Sequence, residues 1–246
     1  MDEALELAEY LPVSYRSSSE EAYIRFLWES FESNYEGGKF EFSCLAFHLL
    51  YMSFVSFSLW RIRHVREHDF KNALIGFQST KEGDLLKAST PFAFYEKMKE
   101  AEIFRFFKLL GCENQQIGEF SRFLKNRNQV AHPTGTVLFN DQKSIDAEIG
   151  KMMREVANIQ SHMKPVVLDV YGQFLRESAD MDARQYALPE QEIEVNFIHQ
   201  NYISRKDIEF CLAYDLKPHE DTVNFELLLS MHTTFCETYT DTDPAS

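Results

Sequence analysis

Glycine and proline are scarce in this chain, 9 and 7 among 246 residues. A turn-rich β fold consumes more of both, so their shortage favours helices. The four cysteines, Cys44, Cys112, Cys211 and Cys236, stand far apart with no CxxC pair. That spacing predicts neither a disulfide framework nor a zinc site, and a reducing cytoplasm is the simplest compartment. The opening Met1-Asp2-Glu3-Ala4-Leu5-Glu6 is acidic and lacks a secretory signal pattern. No Gly-rich phosphate loop, HExxH or GxSxG occurs, so ATP-binding, zinc-protease and α/β-hydrolase readings have no support and no cofactor is expected. Positive charge is also short: 25 Lys and Arg stand against 39 Asp and Glu, a net charge of −14. A chain with that balance is not a general nucleic-acid binder.

Phenylalanine is abundant, with 22 copies. The apolar stretch from Cys44 to Trp60 is at the short limit for a membrane span and contains His48 and three serines, so it reads as a buried central helix. That helix is predicted from about Glu41 to His68, with the turns from Arg61 onward emerging into water. Before it, Ser17-Ser18-Ser19 with Glu20-Glu21 marks a capped helix start, and Gly37-Gly38 a stop. After it, Thr90-Pro91 opens a helix carrying Phe94, Met98, Ile103, Phe107 and Leu110, which Gly111 ends. Two further helices are predicted over about 114–131 and from Ser144 to Ser178, the latter kinked at Pro165. Glu192 to Ile198 alternates and reads as a short strand or a helix start. Ser204 and Thr222 open two short helices, and the tail from Thr240 reads as frayed. The whole is an all-α chain: a helical core over residues 1–180 and a small, mostly helical C-terminal extension over 181–246.

Charge is unevenly spread. Residues 61–132 hold 13 basic and 9 acidic groups, and every other stretch is acidic. Within that positive stretch lies Arg127-Asn128-Gln129-Val130-Ala131-His132, running into Pro133-Thr134-Gly135. Asn128 and His132 stand at i,i+4 on one helical face, with Arg127 about 100° round the helix. Pro133 disfavours helical backbone at His132, so the imidazole should sit where the helix lets go. The bare spacing recurs at Arg63-His64-Val65-Arg66-Glu67-His68. The later copy is the better candidate because it has Asn after Arg, small apolar residues inside and a turn immediately behind it.

These groups suit one chemistry. Metal-free RNA cleavage uses the 2′-hydroxyl as nucleophile. One group takes its proton, another protonates the leaving 5′-oxygen, and a cation holds the charge building on phosphorus. His132 titrates in the useful range, Arg127 clamps phosphate without losing its charge, and Asn128 orients by hydrogen bonds. One histidine cannot be base and acid at once, and a twofold dimer that brings two motifs together supplies both.

A late helix ending in Arg-Asn-x-x-x-His resembles the HEPN superfamily over about residues 20–180, with Arg127, Asn128 and His132 matching its signature. The resemblance implies a four- or five-helix bundle. It also implies a homodimeric, metal-independent endoribonuclease of a bacterial toxin–antitoxin or antiviral defence system, with RNA as substrate and an antitoxin or defence protein as possible partner. Other members are catalytically silent scaffolds that bind a protein or nucleotide. HEPN toxins paired with nucleotidyltransferase antitoxins often carry Tyr two residues after the His, where this chain has Thr134. Two rival readings stand beside this: a silent scaffold, and a helical regulator working through residues 181–246. That segment holds 4 basic and 13 acidic groups, so it either packs as a solvated structural element or lies over the positive motif and repels RNA.

Overall fold

The computed structural model describes residues 2–132, 135–182 and 184–240. The expected turn at Pro133-Thr134, Ala183 in the boundary stretch and the tail beyond Thr240 lie outside these. The described residues are all helix and connecting turn, with only the isolated bridges Pro12–Ser204 and Ile75–Phe77. The elements are α1 (Asp2–Leu5), α2 (Ser18–Glu36), α3 (Phe40–Val65), α4 (Glu67–Ala73), α5 (Ser79–Leu86), α6 (Ala93–Lys97), α7 (Glu100–Phe104), α8 (Asn114–Ser121), α9 (Phe123–Ala131), α10 (Gln142–Ser178), α11 (Pro189–Glu192), α12 (Arg205–Leu212) and α13 (Phe225–Thr240). Short 3₁₀ segments at Glu6–Tyr10, Arg105–Leu110 and Lys217–His219 and a π-helical stretch at Ile193–His199 link them.

α3 is the axis. It is long and apolar enough to cross a membrane by length and composition, but 83% of its most apolar window is buried inside the fold. α2 lies antiparallel against it and α10 packs on another side. α2 starts at the expected serine, with Ser17 Oγ accepting from Glu20 N, and ends at Gly37. α10 is capped by Asp141 and runs unbroken through Pro165. Its first half, through Val166, belongs to the large aromatic cluster around α3. From Val167 onward it carries a second cluster with Phe197, Ile208, Met231 and Phe235.

Several expected boundaries shift. α3 stops at Val65, and the Arg61–His68 turns do not emerge into water as a unit. Arg61 is fully buried against Asp207, and Arg63 donates to the carbonyls of Leu85 (3.2 Å) and Ala88 (2.9 Å). The single helix expected after Pro91 is broken into α6, α7 and a 3₁₀ segment, because tertiary packing of Phe94, Phe104 and Phe107 decides their placement over local pattern. It does end at Gly111, which takes φ +81°. The stretch at 192–198 is helical rather than a strand.

Residues after 181 pack mainly on α10 and on the Glu6–Tyr10 turn. They also enter the large cluster: Tyr202 is fully buried there, 5.0 Å by ring centroid from Phe57.

Candidate functional site

The expected motif helix is two helices, α8 and α9, joined at Arg122. Three anchors fix the end of α8, the junction and α9 against the core. Tyr51 on α3 donates to the carbonyl of Phe120 at 2.9 Å. Asn126 donates to Glu148 on α10 at 2.6 Å. Arg122 pairs with Glu155 on α10 at 3.3 Å. The last turn of α9 is therefore a rigidly mounted ledge.

Arg127, Asn128 and His132 lie at the end of that ledge. The helix stops at Ala131, and His132 takes φ −112° and ψ 147°, extended backbone as Pro133 demands. Arg127 and Asn128 are brought together: Arg127 Nη1 donates to Asn128 Oδ1 at 2.9 Å. The His132 imidazole is exposed beyond the helix end, and no contact joins it to Arg127 among the described residues. One chain thus carries the guanidinium and the imidazole at the same helix end without closing them on each other.

The second face of Arg127 turns inward. Its Nη2 donates to Glu100 Oε1 at 2.6 Å, at the start of α7. Glu100 in turn faces His48 of α3, whose Nε2 lies 3.7 Å from Glu100 Oε2. That distance is too long for a hydrogen bond, and neither ring nitrogen of the fully buried His48 has a hydrogen-bond partner. Burial pushes the Glu100 carboxyl up, but His48 and Arg127 outweigh it and hold it below its ordinary value. Glu100 is therefore ionised at neutral pH and fixes the guanidinium in place. Among the described residues, Glu100 and Asn128 engage two of the five guanidinium N–H groups and three have no partner.

The other Arg/His copy is taken apart by the fold. Arg63 stacks 4.1 Å from the centroid of Trp60 and gives its donors to two carbonyls. His64 also packs on Trp60, and burial followed by the Arg63 charge pulls its pKa below the usual histidine value. His68 points to solvent, beside Asp69 and Asn72. Arg63 is buried against Trp60, out of reach of a phosphate in solvent.

Sequence reading missed Glu100 and His48. Glu100 lies 27 positions from Arg127 with no spacing that links them. His48 did carry a signal, a lone imidazole within an apolar run, but its partner is visible only in three dimensions. Beside Arg127 opens a cavity of about 570 Å³ between α2, α3 and the Thr90–Tyr95 segment, to which Glu100 also contributes. Among the described residues no cluster of His, Cys, Asp and Glu is arranged to hold a metal ion. No family model, curated protein or solved structure matches this chain.

Proposed function

We propose that the chain is an HEPN-type, metal-independent endoribonuclease. It works as a homodimer in the cytoplasm, within a bacterial toxin–antitoxin or antiviral defence system. The observation that supports this reading is the state of Arg127. A permanent cation is pinned by Glu100 and Asn128, keeps three donors unspent among the described residues and stands five positions before an exposed histidine. In this reading Arg127 holds the scissile phosphate, and Asn128 fixes the guanidinium plane. His132 takes the 2′-hydroxyl proton, and His132 of a second copy protonates the 5′-oxygen. The bond from phosphorus to the 5′-oxygen breaks as that from the 2′-oxygen forms, leaving a 2′,3′-cyclic phosphate and a 5′-hydroxyl.

The test is incubation of purified protein with total RNA in EDTA. Cleavage should persist, leave cyclic phosphate ends and fail on an all-DNA strand. His132→Ala and Arg127→Ala should each lower the rate by about 10²–10⁴-fold with folding unchanged. Intact RNA after prolonged incubation with dimeric protein rejects the reading.

A further inference from the structure

The axis helix α3 is closed in on nearly every side. From Ser43 to Arg63 every residue is buried except Leu45 and Leu49, which are half-buried. Phe42, just before them, is 61% exposed. These three stand at i, i+3 and i+7, on one face of the helix. The most apolar helix of the fold therefore reaches the surface along a single line, and that line is itself apolar.

The line leads to the Arg127 site. Leu49 lines the same cavity as Arg127 and Tyr23. Phe26, 60% exposed, follows Tyr23 by one turn of α2. Because α2 runs antiparallel to α3, Phe26 lies in the direction that leads from Leu49 towards Leu45. At the other end Glu41 Oε1 accepts from the Leu138 backbone N–H at 2.5 Å, which ties the chain just after the motif to the start of α3. Val137, in that tied stretch, is 60% exposed and stands five positions after His132. Single exposed apolar side chains are ordinary, but a row of them beside a charged site marks an interaction surface.

Charge and the needs of the site select the occupant. From Phe42 to Leu49 α3 carries no Lys or Arg, so an RNA backbone finds no counter-charge there. The neighbouring ledge offers one imidazole per chain, and an isologous contact beside it supplies the second.

We propose that the Phe42–Leu45–Leu49 face, with Phe26 and Val137 at its edges, is where a second copy of this chain packs about a twofold axis. The choice of a second copy as occupant rests on the ribonuclease reading. The surface itself does not.

Light scattering on the full-length chain and on its Phe42→Asp and Leu45→Glu variants tests it, with RNA cleavage followed on the same samples. The unsubstituted chain should be a dimer. Each substitution enters an isologous interface twice and should weaken the dimer by about tenfold or more, with melting curves reporting folding. Val223→Asp, at an apolar residue that is fully exposed in the C-terminal segment, should leave the dimer intact. Where the charged variants fail to fold, Val137→Cys decides. Its rate of labelling by a maleimide, read by mass spectrometry of the labelled peptide, should fall as protein concentration rises through the dimer range, and a constant rate overturns the proposal. A monomeric unsubstituted chain, or a dimer indifferent to both charged substitutions, also overturns it. Cleavage by such an indifferent dimer leaves the ribonuclease standing. A dimer lost in both variants, with no RNA cut by the unsubstituted chain, upholds the surface and rejects the ribonuclease. Full cleavage by monomeric variants upholds the surface and rejects the shared site.

Discussion

Glu100 shows how a single side chain connects the core of this protein to its surface. It stands between a buried imidazole and a half-exposed guanidinium, and its carboxyl is held below the usual range by both. A carboxyl whose folded pKa is depressed stabilises the fold above its unfolded value, near 4.3, and that contribution is lost as pH falls through the folded value. Glu100→Gln should therefore lower the melting temperature at pH 7, and the gap to the unsubstituted protein should narrow as the pH falls towards 3. A constant gap across that range would mean that Glu100 acts through packing alone. As a positioning residue it should also weaken RNA binding when replaced, because an untethered Arg127 spends rotamer freedom on each phosphate contact.

α9 carries the site only because α3 and α10 hold it, and one of those holds can be removed with a single oxygen. Tyr51 is fully buried, and its hydroxyl satisfies the Phe120 carbonyl near the end of α8. Tyr51→Phe keeps the ring, including its edge contact with Phe123, but orphans that carbonyl. Chemical denaturation should show a loss of about 1–3 kcal/mol. An unchanged midpoint would show the carbonyl finding another donor. Much of this architecture was legible in advance. Ser17, Gly37 and Gly111 act at helix ends where their backbone and hydroxyl chemistry says they should, and Pro133 forces His132 out of the helix. The stripe from Ile145 to Phe174 forms one helix, because a 3.6-residue repeat that long has no other way to bury its apolar face. The breaks at Met98-Lys99 and Arg122 were not legible. No glycine or proline marks them, and they exist because Phe104, Phe107 and Phe123 each fill a slot in the core that one straight helix would miss. The site was legible in part for the same reason. Arg127, Asn128 and His132 are neighbours in sequence, whereas Glu100, and His48 behind it, meet Arg127 only through tertiary packing.

The acidic C-terminal segment is tied to the rest by a buried ion pair and by shared aromatic packing. Arg61 of α3 and Asp207 of α12 are both essentially inaccessible, and Asp207 also accepts from Gln160 and from Ser204. Asp207→Ala would strand a buried guanidinium and should cost about 3–5 kcal/mol, read by chemical denaturation. Truncation at residue 180 removes the same partner along with Tyr202, so a 1–180 chain should be destabilised at least as much. A truncated chain as stable as the full one would show that Arg61 finds solvent once the segment is gone.

The proposed ribonuclease chemistry calls for an assembly of two chains. Each ledge offers one exposed imidazole, and RNA transesterification needs a base and an acid on opposite sides of the phosphate. A site shared across an isologous interface then makes activity a property of pairs. Mixing and re-equilibrating equal amounts of unsubstituted protein and His132→Ala leaves about one quarter of the dimers with two intact histidines, by random pairing in a twofold assembly. At fixed total protein the cleavage rate should fall to about one quarter of the unmixed value, and on increasing the variant share it should follow the square of the intact fraction. Sites complete within one chain would instead give about one half and a straight line. Light scattering confirms dimers and native mass spectrometry of isotope-labelled mixtures confirms exchange, so a linear response from exchanging dimers would place base and acid within a single chain and end the shared-site mechanism.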